Sequence, residues 1–225
     1  GSVLDYGASI HNCASARDRG ARSPRTPYHS PACRLVYVGS LGPGFQPALD
    51  FLFAAAVRAG ATPRAVEFHF LGTSYAAAGA GQATTTELAR RHGLADRVHE
   101  QTQRLPYLDA LRVLDEADAV LLLGSDAAGY APSKIHPVLF AERPTLAIGP
   151  SGSVLEQKVA ELGGAAFFPS DGGEEASAAL SAMLRALGTG TTPEMRPLER
   201  ENLEARHSAA AVAARLDALF RGLTR

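Results

Sequence analysis

Cysteine is scarce, with Cys13 and Cys33 the two among 225 residues. That excludes a disulfide-framed scaffold, permits one bridge without requiring it, and favours a reducing compartment, the cytoplasm. Neither sign of charge is in excess. The 22 Lys and Arg against 23 Asp and Glu leave a net −1, so no basic field draws in nucleic acid and no such partner is expected. Long apolar runs are missing as well. None reaches the roughly 18 residues of a membrane span, and the first residues lack the basic-then-apolar layout of a signal peptide. Gly1-Ser2 reads as a cloning remnant rather than a natural start. No period of solenoid length repeats. Lysine is nearly absent too, Lys134 and Lys158 being the two in a chain whose other basic side chains are arginine. What is present, 46% hydrophobic and 20% charged residues, is the balance of a globular protein. A chain of this length can bury roughly 70% of its unfolded surface without a metal or disulfide staple.

Residues 1–33 stand apart from the rest. Arg17, Arg19, Arg22 and Arg25 sit among Ser, Pro, Asn and Gly without apolar periodicity. Ordering such a stretch would cost roughly 1–2 kcal/mol per residue with nothing to bury in return, so an irregular, largely disordered leader is expected. His11 and Cys13 are two apart, but no second ligand pair accompanies them, and no metal site is expected.

Residues 34–225 alternate regularly and read as one domain. Aliphatic or β-branched runs at Leu35–Val38, Val66–Leu71, Val98–Glu100, Ala119–Leu123, Thr145–Ile148 and Ala165–Phe168 predict strands. Helical patterns separate them at Phe45–Ala59, Thr84–His92, Pro106–Ala117, Ser133–Ala141, Gly152–Leu162 and Glu174–Leu187. Leu198–Leu223 closes the chain as one long helix or two joined ones. Six strands alternating with helices predict an α/β fold, a Rossmann-like doubly wound parallel sheet with helices on both faces. Such a sheet binds ligands at the carboxyl ends of its strands, near the switch in strand order.

Two segments there carry chemistry. Gly39-Ser40-Leu41-Gly42 follows the first strand and precedes a helix, where glycines let backbone amides approach an anion; a plain tight turn is the alternative. The segment is neither a triphosphatase loop, since no lysine follows, nor a dinucleotide fingerprint, since Pro47 stands where a glycine is needed. The second segment runs from Gly124 to Pro137 and includes Ser125, Asp126, Tyr130, Ser133 and Lys134. A helix start with serine and lysine on this rim is an anion site on physical grounds, and a lysine in an arginine-rich chain suits a compact point charge. Ser133 reads equally well as a helix cap, Lys134 as a solvated lysine, and Asp126 as either a ribose partner or a turn residue. Arg104, beyond the third strand, belongs to the same rim. His136 is read as a packed or solvent-facing residue before a catalyst, and no catalytic residue is assigned.

Three runs, Tyr37-Val38-Gly39-Ser40-Leu41-Gly42, Phe68-His69-Phe70-Leu71-Gly72-Thr73-Ser74-Tyr75 and Leu105-Pro106-Tyr107-Leu108-Asp109-Ala110-Leu111, resemble the donor-binding half of GT-B glycosyltransferases of the family-4 kind. Pro132-Ser133-Lys134-Ile135 followed by Arg143-Pro144-Thr145-Leu146-Ala147 is similar to that family's stretch, and Leu4-Asp5-Tyr6-Gly7-Ala8 resembles its hinge. The resemblance spans residues 34–225. It implies a domain gripping a nucleoside-diphosphate sugar, UDP- or GDP-linked, without other cofactor or metal. Gly39, Ser40, Leu41 and Gly42 would meet the phosphates, Ser133 and Lys134 would face the diphosphate, and Arg104 would sit near the nucleobase. It also implies a hexosyl transfer that retains configuration, and a separate N-terminal acceptor domain, absent here, as partner. Two departures stand out. The family's paired glutamates fall at Gly129 and Pro137, and its basic residue after the glycine loop is replaced by Gln46 and Pro47. A non-catalytic Rossmann-like module that has lost its sugar contacts is the second reading; a nicotinamide oxidoreductase is disfavoured by the failed fingerprint.

Overall fold

A strand such as Val120-Leu121-Leu122-Leu123 has no polar side chain to turn toward water, so both faces of its sheet must be covered. The computed structural model describes residues 31–76, 80–127, 129–191 and 194–223 and meets that demand with alternating strands and helices. Strand β1 (Cys33–Val38) leads through a 3-10 turn, Pro43–Phe45, into helix α1 (Gln46–Ala59). Then come β2 (Val66–Leu71), α2 (Thr84–Arg91), β3 (Val98–Gln101), α3 (Tyr107–Glu116) and β4 (Ala119–Leu123). The chain continues through α4 (Ile135–Phe140), β5 (Thr145–Gly149), α5 (Val154–Leu162), β6 (Ala166–Pro169) and α6 (Gly173–Gly188), and ends in α7 (Arg200–His207) and α8 (Ala209–Leu223).

The six strands form one parallel sheet in the order β3-β2-β1-β4-β5-β6. The chain steps outward from β1 to β3, then returns to the other side of β1 with β4. Two core layers result. Leu35, Phe68, Phe70, Leu121 and Ile148 face α1, α2 and α6, with Phe53 of α1 wedged edge-on against Phe68 and Phe70 at 5.9 and 6.1 Å between ring centres. Val36, Val120, Leu122 and Ala147 face α3, α4, α5 and α7. The Ser181 hydroxyl of α6 donates to the Ala55 carbonyl of α1 at 3.0 Å, tying the two helices of the first layer together.

Differences from the sequence expectation are local and have physical causes. Cys33, expected in the leader, is a buried free thiol in β1, because the strand already pairs Cys33 with Val66. The rest of the expected leader, with Cys13, His11 and the hinge-like segment, lies outside the described residues. The helix expected from Ser133 starts at Ile135, and Ser133 is exposed in the preceding turn, capping nothing. The C-terminal segment is two helices broken at Ser208, whose extended backbone (ψ 152°) cannot continue a helix. His136 is a packing residue, the plainer of its readings: its buried ring stacks on His207 of α7 at 4.2 Å and 18°. No helix among the described residues is long and apolar enough to cross a membrane.

Asp118, just before β4, pins the amino ends of the central strands. Its carboxylate accepts from the Arg34 amide at 2.9 Å and from the Arg64 guanidinium at 3.0 Å, and Arg64 also reaches the carbonyls of Pro31 and Ala32. Burial pushes this carboxyl up, but the Arg34 amide and the two guanidinium groups outweigh it and hold it below the ordinary 3.8. A depressed folded value gives stability that is complete above the unfolded value and is lost as pH falls through the folded one. Asp118→Asn should therefore destabilise the protein at pH 7 and flatten the loss of stability below about pH 4. Urea midpoints at pH 7 and pH 3 test this; parallel acid limbs in variant and wild type would contradict it.

Candidate functional site

Strand order reverses between β1 and β4, the place where a doubly wound sheet offers a crevice at its carboxyl rim. The loop after β1 keeps close to the one after β2: Gly39 N–H donates to Leu71 O and Leu41 N–H to Thr73 O, each at 2.9 Å. These two amides are thereby committed. The N–H groups of Ser40 and Gly42 take no backbone partner among the described residues. The Tyr37 phenol, whose ionisation burial pushes up, donates to Ser40 O at 3.0 Å and holds the turn from below.

Lys134 occupies the turn ahead of α4, and its ammonium lies directly over Gly39. A Cβ at residue 39 would overlap Nζ and crowd the Tyr37 phenol at 3.0 Å, on a backbone whose φ of 157° already favours glycine. The side chain is half-buried rather than solvated, and burial, followed by the opposing influence of Tyr75 and then repulsion from Arg104, brings its pKa below 10.5. Tyr75, after β2, is exposed and lies under the Arg104 guanidinium at 4.7 Å. Hydrogen bonds with Ser40 and then Arg104 hold its phenol below the ordinary value. Loops from four strands thus bring Ser40, Tyr75, Arg104 and Lys134 to one spot.

Lys134 also divides two cavities. The larger, about 280 Å³, is mostly apolar and lies between Gly39, Gly72 and α3, with Arg104, Leu105, Tyr107 and Pro137 in its wall. The smaller, about 160 Å³, is bounded by Ser40, Phe45, Tyr75, Tyr130 and Ser133. Tyr130 is fixed there by an edge-on contact with Phe45 at 5.3 Å and 85°.

The structure divides the residues singled out from the sequence. It brings together Gly39, Ser40, Arg104, Tyr130, Ser133 and Lys134. Leu41 and Gly42 line a different groove, about 500 Å³, between the 3-10 turn and α2. Ser125 and Asp126 act as braces: Asp126 N–H donates to Gly44 O at 2.9 Å, and the buried Ser125 hydroxyl accepts from Ala127 N–H at 3.1 Å. Both side chains press on Gly44, the Asp126 carboxylate standing 2.6 Å from where a Cβ would be. The Asp126 backbone thus braces the turn at Gly44. Helix α4 has six residues and starts after Lys134, so Ser133 and Lys134 precede the helix rather than open it. Tyr75 was missed as a site residue, and its one signal in the sequence is an aromatic three positions past Gly72 at the strand end. Glu100 was missed too. From β3 it accepts from the Thr85 and Thr86 amides at 2.8 and 3.1 Å, capping α2, and from the Thr73 hydroxyl at 2.7 Å.

No family model and no curated protein matches this sequence. Solved structures do. Sucrose-phosphate synthase from Thermosynechococcus elongatus superposes with a TM-score of 0.66 at 18% identity, over 99% of this chain and 52% of its own. A UDP-forming trehalose-phosphate synthase from Burkholderia vietnamiensis gives 0.67 at 12% identity, over 98% and 52%. HepE of Anabaena, solved in complex with UDP-glucose, gives 0.63 at 13% identity, over 98% and 57%. The chain thus has the fold of a GT-B glycosyltransferase domain and spans about half the length of the structures it matches.

The rim geometry makes a spectroscopic prediction. Tyr75→Phe should remove from an alkaline absorbance titration a phenol that ionises below the ordinary tyrosine value, while the burial-shifted Tyr37 and Tyr130 ionise late. Superimposable titrations of variant and wild type would show that the hydrogen bonds to Tyr75 are not made.

Proposed function

We propose that this chain is the nucleotide-sugar-binding domain of a glycosyltransferase, gripping the diphosphate of a UDP- or GDP-sugar at the β1–β4 rim. The observation that carries the reading is the Lys134 ammonium poised over Gly39 between two cavities. A bound diphosphate would meet the N–H of Ser40 and the cations of Lys134 and Arg104. These fixed donors would stabilise the negative charge that develops on the departing diphosphate, which is the chemical role of a donor domain. The half-buried lysine suits that role, because its charge is poorly hydrated before the anion arrives and the interaction is stronger than at an exposed site. The larger apolar cavity beside Arg104 and Leu105 would take the nucleobase and the smaller one the sugar. A second domain would supply the acceptor, so this domain alone is expected to bind donor without turning it over; retention of configuration is part of the same proposal.

One observation favours a second reading. Neither Gly129 nor Pro137 offers a carboxylate for sugar hydroxyls, and Pro137 lines the larger cavity. A binding module without sugar contacts would hold UDP and UDP-glucose equally, whereas a donor domain holds the two differently.

Calorimetric titration with UDP and GDP tests the grip. A charge-assisted bond to phosphate is worth about 1.5–3 kcal/mol, so Lys134→Ala should weaken diphosphate binding roughly 10- to 150-fold and leave uridine or guanosine binding nearly unchanged. Lys134→Arg should restore part of the loss, since a planar guanidinium is a poor substitute in a slot shaped for a point charge. Stability should hold or rise in Lys134→Ala, because burial disfavours this ammonium. Equal diphosphate affinity in wild type and Lys134→Ala would remove Lys134 from the site.

A further inference from the structure

Away from the rim, one face of the β2–β3 edge gathers a carboxylate and two imidazoles. His69 and His99 are direct partners in the parallel register of β2 and β3. Glu67, two residues before His69, projects from the same face. Nε2 of His69 lies 3.4 Å from Glu67 Oε2, and Nε2 of His99 lies 3.7 Å from the same oxygen. One ligand atom from each residue falls within 4.8 Å of the other two, and no other group of three or more metal-ligating side chains occurs among the described residues.

We propose that Glu67, His69 and His99 form a divalent-metal site of the zinc class, independent of the nucleotide rim. Zinc bonds of about 2.0–2.2 Å in tetrahedral array set neighbouring ligand atoms about 3.4 Å apart. Two of the three edges already have nearly that length. The third closes by rotation of His99, which is about half exposed (49%) on β3, the edge strand of the sheet. The two rings are stacked at 4.7 Å and 23°, so the same rotation must also tilt the His99 ring for the in-plane lone pairs of both Nε2 atoms to meet at one ion. Two histidines and a glutamate leave a fourth position open to water, and borderline-soft cations prefer such a nitrogen and oxygen set over magnesium or calcium.

The surroundings agree. His69 is buried at 7% side-chain exposure. The nearest cations, Arg34 (the β1 register partner of Glu67) and Arg97, act on the cluster electrostatically and also have anchors of their own. Arg34 binds Asp118 and the Glu116 carbonyl, and Arg97 donates to Val66 O at 3.0 Å while lying over the Phe68 ring. Glu67 is the second residue of β2, so the site begins about 13 Å of strand before the rim at Leu71. Its effect is mechanical: it rivets the edge strand to its neighbour beneath the loops that carry Tyr75 and Arg104.

The test uses the full chain stripped with EDTA and titrated with zinc chloride, followed by calorimetry and thermal unfolding. One equivalent should bind at about micromolar affinity or tighter and raise the unfolding temperature, and EDTA should reverse both. His99→Ala alters an exposed side chain and should fold; its zinc affinity should fall at least tenfold, given that losing even an outer-shell partner costs about 10–100-fold. Its UDP affinity should not change. Cys13→Ser with His11→Ala should keep the full zinc response. Absence of zinc binding in the wild type, equal binding by His99→Ala, or loss of binding in the His11 and Cys13 variant would each overturn the proposal.

Discussion

The requirement that a parallel sheet be covered on both faces governs nearly everything else in this molecule. Parallel strands need a crossover between each pair, right-handed crossovers choose the face, and a sheet covered on both sides must reverse direction once. Here the reversal falls between β1 and β4. All loops bearing candidate ligands therefore leave from carboxyl ends, and the two flanking the reversal meet through the Asp126 and Gly44 backbones and the side chains of Ser125, Asp126 and Lys134. The crevice is what remains when two helical layers are served by one continuous chain. Glu100 and the Ser125–Asp126 brace are secondary to that, fixing how far each loop leans in.

Much of the architecture was legible because the signals were local and repeated. Uniform runs such as Ala119–Leu123 could only be interior strands, and the apolar stripe of Leu49, Leu52, Phe53 and Ala56 could only be a helix face. The boundary at Ser133 was misjudged because Ser after Pro imitates a capped helix start, whereas the backbone there makes an open turn before Ile135. Cys33 was grouped with the leader by composition, and a register contact with Val66 decides otherwise. Neither deciding interaction is written in neighbouring residues.

For the site, residue types were readable and their directions were not. Gly39, Ser40, Arg104 and Lys134 were identifiable as anion-seeking groups near strand ends. That Leu41 and Gly42 turn toward α2, while Tyr75 turns toward Arg104, depends on backbone hydrogen bonds between loops about 30 residues apart. The Glu67, His69 and His99 grouping was invisible for the same reason. A two-residue spacing in one strand becomes a triangle only when β3 pairs in one particular register.

The absent side chain at residue 39 has an inherited counterpart at residue 134. The space a methyl group would fill is taken by an ammonium, so the two positions compete for one volume. A lineage that kept the lysine is not free to vary the glycine. One that lost the lysine would still meet the Tyr37 phenol at residue 39, whose oxygen stands 3.0 Å from where a Cβ would be, on a backbone at φ 157°. Glycine at 39 is therefore the fixed member of the pair and residue 134 the one free to change, although 94 residues lie between them along the chain.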